Sequence, residues 1–277
     1  MDLKALNKAH AIEGHIRFEV GEGGFIYARI ANARGTASVC TYGGHVLSYR
    51  PTDGPAEGAS EGGAEAPGLL FVSREAGFVS GKAIRGGVPV CWPWFGPDPE
   101  KRGRPSHGLA RTRQWAVRET SALNSACTRL VLSLSSDADT RELWPHAFEL
   151  SLEVTVGAEL GLTLTTTNRG DQSFTLSQAL HAYFTVADVR DVRVLGLERH
   201  DYIDQLDGHA VKRQRGAVIF KREVDRIYTG VDAPLVIDDP GLKRRIGISG
   251  EGSRSAVVWN PWVDKAAALG DFGDDEY

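Results

Sequence analysis

The sequence predicts an all-β protein, and within that class a large antiparallel β-sandwich. Two runs, 148–156 and 160–168, alternate apolar with polar residues at period two and flank Gly157, as in a β-hairpin. Short β-rich runs recur between Gly, Asp and Pro along most of the chain. Segments with helical periodicity are nearly absent, apart from a possible turn at 265–269. The 277 residues can bury a large core, and we expect a single domain over 1–277.

The N-terminal third has the spacing of strands and turns that is typical of a β-meander. Strands are expected within 25–49, with breaks at 32–35 and at Gly43-Gly44. Residues 51–68 are rich in Gly, Ala, Glu and Pro, and we expect them to form a mobile surface loop. A further strand is predicted at 129–135, where RLVLSLS alternates.

The segment 174–186, FTLSQALHAYFTV, is also predicted to be a strand. On this interpretation His181 and Tyr183 share the more polar face, which carries small residues. Six short strands are expected after it, at 192–197, 218–220, 227–228, 235–237, 245–248 and 256–259.

Charge and composition limit the classes of partner that the protein can be expected to bind. The net charge is -4 and the isoelectric point is near 6.1, which argues against nucleic-acid binding because that needs a broad basic surface. No segment is apolar enough for a membrane span or a signal peptide, so we expect a soluble, cytoplasmic protein. We also expect a monomer. Three widely spaced cysteines suggest neither a disulfide framework nor a zinc site, and no metal is expected.

The stretch 84–115 is the most distinctive part of the chain. It is neither a clean helix nor a clean strand, and it concentrates Gly, Pro, Trp and cationic residues. Trp92, Trp94 and Phe95 offer broad apolar faces that either hold such a loop down or stack on a sugar ring. Its cations suggest an anionic ligand, although they could equally pair with acidic neighbours; they are Arg85, Lys101, Arg102, Arg104, Arg111 and Arg113.

Several segments together resemble one family, the hexose-6-phosphate mutarotases (glucose-6-phosphate 1-epimerases) of the aldose 1-epimerase superfamily. Each segment is weak alone, but the ordered set is specific and spans about two hundred residues. The matching segments are IRGGVPVCWPWFG (84–96), HGLAR with Trp115 (107–115), WPHAFEL (144–150), LSQALHAYF (176–184), EVDRIY (223–228), and VVWNPW with DFGDDEY (257–277).

The resemblance implies a galactose mutarotase-like β-sandwich and an isomerase that interconverts the α and β anomers of a sugar phosphate without a cofactor. In the family a histidine protonates the ring oxygen and a glutamate takes the proton of the anomeric hydroxyl. Histidine suits proton transfer near neutral pH because its unperturbed pKa is about 6.5.

Residue by residue, the resemblance implies that His181 is the catalytic histidine. Arg85 and Arg111 match substrate-binding arginines, and Asp225 matches an aspartate that binds sugar hydroxyls. His107 is expected to bind the sugar or to orient its loop. For each of these positions a structural role is the competing interpretation: a core histidine, a salt bridge or an aspartate in a turn.

Two departures from the family pattern matter. Some members have Gln as a substrate contact where this chain has Ser106, whose shorter hydroxyl would have to reach the substrate through water or leave that contact unmade. The family's glutamate lies a few residues beyond the segment that matches DFGDDEY, whereas this sequence ends at Tyr277, so the base and the last strand are expected to be missing. Glu276 falls inside the match and is not assigned as base. Either the sequence is a shortened version of a longer protein that carries the base, or the molecule has lost its base and the alternative to an epimerase applies, a catalytically silent sugar-phosphate-binding β-sandwich.

Overall fold

A computed structural model describes residues 2–52 and 67–277. The chain divides into two compact units: the first comprises Met1–Val72 and Ala76–Thr185, and the second Ser73–Glu75 and Val186–Tyr277. The expectation of one domain over 1–277 stays a prediction. The expected surface loop at 51–68 lies outside the described residues except at its two ends.

In the described part of the first unit antiparallel strands predominate, with two short α-helices. Its elements are α1 (Leu3–His10), β1 (Ile16–Val20), β2 (Ile26–Asn32), β3 (Gly35–Cys40), β4 (His45–Pro51), β5 (Val90–Cys91), β6 (Ala116–Asn124), β7 (Cys127–Ser135), α2 (Ala138–Leu143), β8 (Phe148–Val156), β9 (Leu160–Asn168) and β10 (Ala179–Leu180).

Two four-stranded meanders, β1-β2-β3-β4 and β6-β7-β8-β9, make up most of this unit. Their apolar faces meet in one core, to which Ile30 and Val39 contribute from one sheet and Leu150 and Leu152 from the other. The Tyr49 hydroxyl donates to the Gly157 carbonyl at 2.9 Å and ties the two sheets together at the edge of this core. The unit is therefore a two-layer sandwich.

The hairpin of β8 and β9 forms where the sequence predicts it. Along β8, buried and half-buried residues alternate without exception, because successive side chains of a strand point to opposite faces. The predicted breaks at 32–35 and 43–44 are turns between β2 and β3 and between β3 and β4. In the first turn the Asn32 side chain accepts from the backbone N–H groups of Arg34 and Gly35 at 2.9 and 3.1 Å.

The second unit contains two further four-stranded sheets and one helix. The sheets are ordered β14-β11-β16-β17 and β13-β12-β15-β18. The elements are β11 (Arg193–Leu195), β12 (Asp201–Asp204), β13 (Ala210–Arg213), β14 (Val218–Ile219), β15 (Val224–Thr229), β16 (Leu235–Asp239), β17 (Arg244–Ile248), β18 (Ser255–Asn260) and α3 (Trp262–Leu269). Each of the six strands predicted here is present, with bounds that differ by a few residues.

Within the described residues helices are few, as expected, but α1 and α2 were not predicted, and α3 begins earlier than the predicted turn. Helix α1 buries only Leu6. It is held by tertiary contacts, since the Asn7 amide bonds both the N–H and the C=O of Phe18 on β1 at 2.9 and 2.8 Å. Helix α2 is fixed by a capping box between Asp137 and Thr140. Such local and tertiary contacts are not visible as periodicity.

The predicted strand at 174–186 is also wrong in extent. Only β10 is a strand, and it pairs with β5 in the register Ala179 to Cys91 and Leu180 to Val90. The rest of the segment continues beside 84–96 through isolated hydrogen bonds, from Ser177 N to Pro93 O at 3.1 Å and from Tyr183 N to Gly87 O at 2.9 Å.

Candidate active site

Three segments of the first unit run side by side and form the framework of the candidate site: 84–96, 106–111 and 177–183. His181 N donates to Pro89 O at 3.1 Å, which fixes the third segment against the first. Leu109 N donates to Trp92 O at 2.8 Å, and His107 N to Gly96 O at 2.7 Å, which fix the second. The stretch 84–115 is thus irregular because its backbone hydrogen bonds join it to neighbouring segments on both sides and do not form a regular ladder.

Two glycines allow this close packing. Gly87 has φ of 61°, and a Cβ there would lie 2.4 Å from Val46 O. Gly108 has φ of 75°, and its Cβ would lie 2.0 Å from Trp92 O. No side chain fits either distance, so both positions require glycine.

The tryptophans of the stretch hold the loop and belong to the core. Trp92 is fully buried, and its indole donates to the Thr166 hydroxyl at 3.0 Å. Trp94 is 3% exposed and donates to Pro105 O at 3.0 Å. Of the two interpretations of these residues, the structure supports anchoring over sugar stacking.

Three of the six cations in the stretch, Arg102, Arg104 and Arg113, pair with acidic side chains, which is the second of the two interpretations that the sequence left open for them. The Arg104 guanidinium stacks on Trp94 and donates to the Asp98 carboxylate at 2.5 Å, with both side chains only 6% exposed. Arg102 pairs with Glu100 at 2.8 Å. Pairing with a neighbouring carboxylate removes these charges from ligand binding.

Arg85 and Arg111 are the two arginines whose charge acts on the histidines of the site. Both are half-buried. Arg85 Nη1 donates to the Tyr183 hydroxyl at 2.9 Å. Arg111 Nη2 donates to the backbone carbonyl of Ser106 at 2.9 Å. These contacts hold the two guanidinium groups beside the histidines.

His181 and His107 lie together, with their ring centroids 6.2 Å apart and their planes nearly perpendicular. The pKa of His181 is lowered to about 4, mainly by burial; a hydrogen bond to its own backbone acts in the opposite direction, and the charges of Arg85 and Arg111 add to the lowering. The pKa of His107 is also lowered to about 4, first by burial and then by Arg111, His181 and Arg85. Both imidazoles are therefore neutral at pH 7 in the unliganded protein.

The tautomer of His107 follows from its loop. Gly96 N donates to His107 Nδ1 at 3.1 Å, so the neutral ring carries its proton on Nε2. The backbone of His107 has φ of 63°, a conformation unusual outside glycine. His107 thus both organises the loop and presents an N–H group.

Ser106 lies in the same loop but contributes mainly through its backbone. Its hydroxyl donates to Gly96 O at 3.1 Å, and its carbonyl accepts from Arg111. Its side chain is therefore engaged within the loop, and its role as a substrate ligand stays a prediction.

Asp225 belongs to the second unit. It lies on β15 opposite Trp259 of β18, and it is half-buried. Burial raises the pKa of its carboxyl group, while Lys265 acts in the opposite direction. Its predicted contact with sugar hydroxyls stays a prediction.

Glu276, the acidic side chain nearest the end of the chain, is held by hydrogen bonds within the second unit. It accepts from Ser73 Oγ at 2.6 Å, from Gly273 N at 2.8 Å, and from Arg74 N and Nε at 3.1 Å each. Burial raises the pKa of Glu276, but these hydrogen bonds outweigh burial and hold it below its usual value. A carboxylate so fully engaged is a poor proton acceptor, and we assign it an anchoring role.

Two residues of the site were not assigned from the sequence. Tyr183 contacts both Arg85 and His181, and its place on the polar face of 174–186 was the available signal. His45 is fully buried, and its Nε2 bonds Gly86 O at 2.7 Å, directly after Arg85. Because His45 follows Gly43-Gly44, it looks like part of a turn, and nothing in its spacing indicates a role.

Within residues 2–52 and 67–277, no group of three or more His, Cys, Asp or Glu side chains is placed to hold a metal ion. The helices in this part of the chain are all too short or too polar to cross a membrane.

Known proteins share this fold and these motifs. The family model for aldose 1-epimerase matches residues 28–277. A protein of Cenchrus ciliaris called "putative glucose-6-phosphate 1-epimerase" is 37% identical over 250 residues, which cover 87% of this chain and 71% of the relative. A Salmonella typhimurium protein of the same name is 35% identical over 242 residues, 87% of this chain and 76% of the relative.

Solved structures agree. A "putative mutarotase" from Salmonella typhimurium has a TM-score of 0.85 at 30% identity, over 98% of this chain and 88% of its own. A galactose mutarotase-like protein from Clostridium acetobutylicum has a TM-score of 0.67 at 15% identity, over 94% and 85% of the two chains. The predicted galactose mutarotase-like β-sandwich is thereby confirmed. With the family model spanning nearly the whole sequence, this chain belongs to the aldose 1-epimerase family and is an isomerase that interconverts sugar anomers.

Proposed function

We propose that the substrate is a hexose 6-phosphate, whose α and β anomers the protein interconverts. The observation that carries this proposal is the placement of Arg85 and Arg111 beside His181 and His107. A guanidinium group binds phosphate oxygens through a planar fork of N–H donors, which a free sugar does not match. The names of the relatives from Cenchrus ciliaris and Salmonella typhimurium support the same substrate.

The reaction needs only proton transfers and a bond rotation. His181 gives a proton to the ring oxygen while a base takes the proton of the anomeric hydroxyl. For this base the family resemblance implies a glutamate a few residues beyond the segment that matches DFGDDEY, and not Glu276. The bond between the ring oxygen and C1 breaks, and C1 becomes an aldehyde. Rotation about the C1–C2 bond exposes the other face of the aldehyde, and the reverse transfers close the ring as the second anomer.

The charge of the substrate's phosphate group favours the proton transfer from His181 to the ring oxygen. Arg85 and Arg111 contribute to the low pKa of His181, after burial. A phosphate dianion bound to the arginines offsets their positive charge and raises the pKa of His181. The phosphate group of the substrate therefore also favours the protonated imidazole of His181, which donates to the ring oxygen.

The alternative of a catalytically silent sugar-phosphate-binding protein receives no support from the family or from the named relatives. An epimerase for unphosphorylated aldoses would have little use for two arginines beside the catalytic histidine.

The test is the substrate selectivity of Arg85→Ala. Loss of charged hydrogen bonds to phosphate should lower kcat/KM for glucose 6-phosphate by about 10- to 100-fold, with a change of about threefold or less for glucose. Arg102→Ala is the matched control, because Arg102 is a cation of the same stretch that pairs with Glu100. Equal losses for the two sugars in Arg85→Ala would reject phosphate recognition by this residue.

A further inference from the structure

Tyr183 touches both functional ends of the candidate site. Its ring lies parallel to the His181 imidazole, with centroids 4.6 Å apart and an interplanar angle of 15°. Its hydroxyl accepts a hydrogen bond from Arg85 Nη1 at 2.9 Å. One side chain therefore contacts the group that would bind phosphate and the group that would transfer a proton.

The backbone holds Tyr183 firmly. Its N–H donates to Gly87 O at 2.9 Å, and its carbonyl accepts from Phe71 N at 3.0 Å. The segment carrying Arg85 and Gly87 is itself fixed, since Gly87 N donates to Phe71 O at 2.6 Å. The tyrosine and the arginine are thus anchored to the same short stretch of backbone.

The chemistry of the phenol suits a fixed support. Burial raises the pKa of Tyr183, so its hydroxyl keeps its proton and accepts from Arg85 through an oxygen lone pair. A parallel aromatic ring restricts the tilt of its neighbour, which matters for an imidazole that must meet a ring oxygen at hydrogen-bond distance. The hydroxyl and the ring of Tyr183 therefore have separate tasks.

We propose that Tyr183 is a positioning residue that links phosphate recognition to proton transfer, its hydroxyl orienting Arg85 and its ring orienting His181. This inference rests on the proposed function and assigns it a further residue. Orienting Arg85 before binding reduces the conformational entropy lost when its fork closes on a phosphate. Orienting His181 keeps the imidazole in the geometry that proton transfer requires.

Two substitutions separate the two tasks. Tyr183→Phe removes the hydroxyl and keeps the ring, so KM for glucose 6-phosphate should rise about tenfold while kcat stays within about twofold. KM for glucose should not change. Tyr183→Leu removes the ring as well, so kcat should also fall, by about tenfold or more, for both sugars.

The stacking of Tyr183 on His181 is checked separately from catalysis. The ring-proton NMR signals of His181 carry a ring-current shift from the stacked phenol, which Tyr183→Phe should keep and Tyr183→Leu should lose. Tyr202→Phe is the matched control: Tyr202 is a buried tyrosine on β12 of the second unit, and its substitution should leave both sugars' kinetics unchanged.

The outcomes distinguish this inference from the proposed function. If the wild-type protein prefers glucose 6-phosphate but Tyr183→Phe leaves KM unchanged, or raises KM equally for both sugars, the linking role is overturned and the substrate proposal stands. A wild-type protein without preference for the phosphorylated sugar would overturn both. A rise in KM for glucose 6-phosphate alone in Tyr183→Phe, with a fall in kcat only in Tyr183→Leu, supports the inference.

Discussion

At the scale of single residues, three histidines of the first unit have a low pKa, and burial is the leading cause in each. The pKa values of His45, His107 and His181 are all lowered to about 4. His107 and His181 were predicted as site residues because they lie in recognisable motifs. His45 was not, since its function depends on a backbone carbonyl forty-one positions away, that of Gly86.

The low pKa of His45 makes a prediction about stability. The unfolded imidazole has a pKa near 6.5, so between pH 6.5 and 4 the unfolded chain binds a proton that the folded one does not. Above pH 6.5 both states are neutral and the effect vanishes; on acidification the folded state is progressively disfavoured. From pH 7 to pH 5 this histidine should cost about 2 kcal/mol of the free energy of unfolding.

The measurement is urea denaturation at pH 7 and pH 5 for the wild type and for His45→Gln, which keeps an N–H donor for Gly86 O. The wild type should lose about 2 kcal/mol more than the variant, because His107 and His181 contribute equally to both. The same loss in the two proteins would show that His45 does not remain neutral in the folded state.

At the scale of elements, local patterns were predictable and distant pairings were not. The β8–β9 hairpin follows from period-two alternation about Gly157, all within one continuous segment. Strand β10 pairs with β5, which is also two residues long and lies nearly ninety positions away, so the extent of this pairing is not visible in the local pattern of 174–186. Likewise the pairing of Arg104 with Asp98, which removes it from the site, depends on how the loop folds and not on residue type.

The loop that presents His107 offers a prediction at this scale. Gly108 and Gly103 have similar φ values, 75° and 81°, but a Cβ at Gly108 would lie 2.0 Å from Trp92 O, whereas at Gly103 it would meet nothing within 4 Å. Gly103→Ala should therefore cost about 1 kcal/mol for the backbone conformation alone. Gly108→Ala should cost at least about 2 kcal/mol more, because the segments 84–96 and 106–111 must separate.

Chemical denaturation of the two variants compares these costs directly. The epimerase activity of Gly108→Ala should also fall, since His107 and Arg111 flank the altered position, whereas Gly103→Ala should keep it. Similar stabilities for the two variants would mean that close packing of the loop on Trp92 is not what fixes it.

At the scale of the whole molecule, the family and fold were predictable because ordered motifs are spread over most of the chain. The match of the family model to residues 28–277 confirms that interpretation. With a net charge of -4, the anion binding that we propose depends on a local arrangement, in which two arginines lie near two neutral histidines of an overall acidic protein. The sequence could identify these four residues by motif, but not the side chains that hold them in place.

The most direct test of the account is anomer exchange measured by magnetisation-transfer NMR, with glucose 6-phosphate and glucose side by side. We predict that the protein accelerates exchange of glucose 6-phosphate far more than that of glucose, and that His181→Asn lowers this acceleration by about 10²-fold or more. No acceleration over buffer, equal acceleration of both sugars, or full activity in His181→Asn would contradict the account.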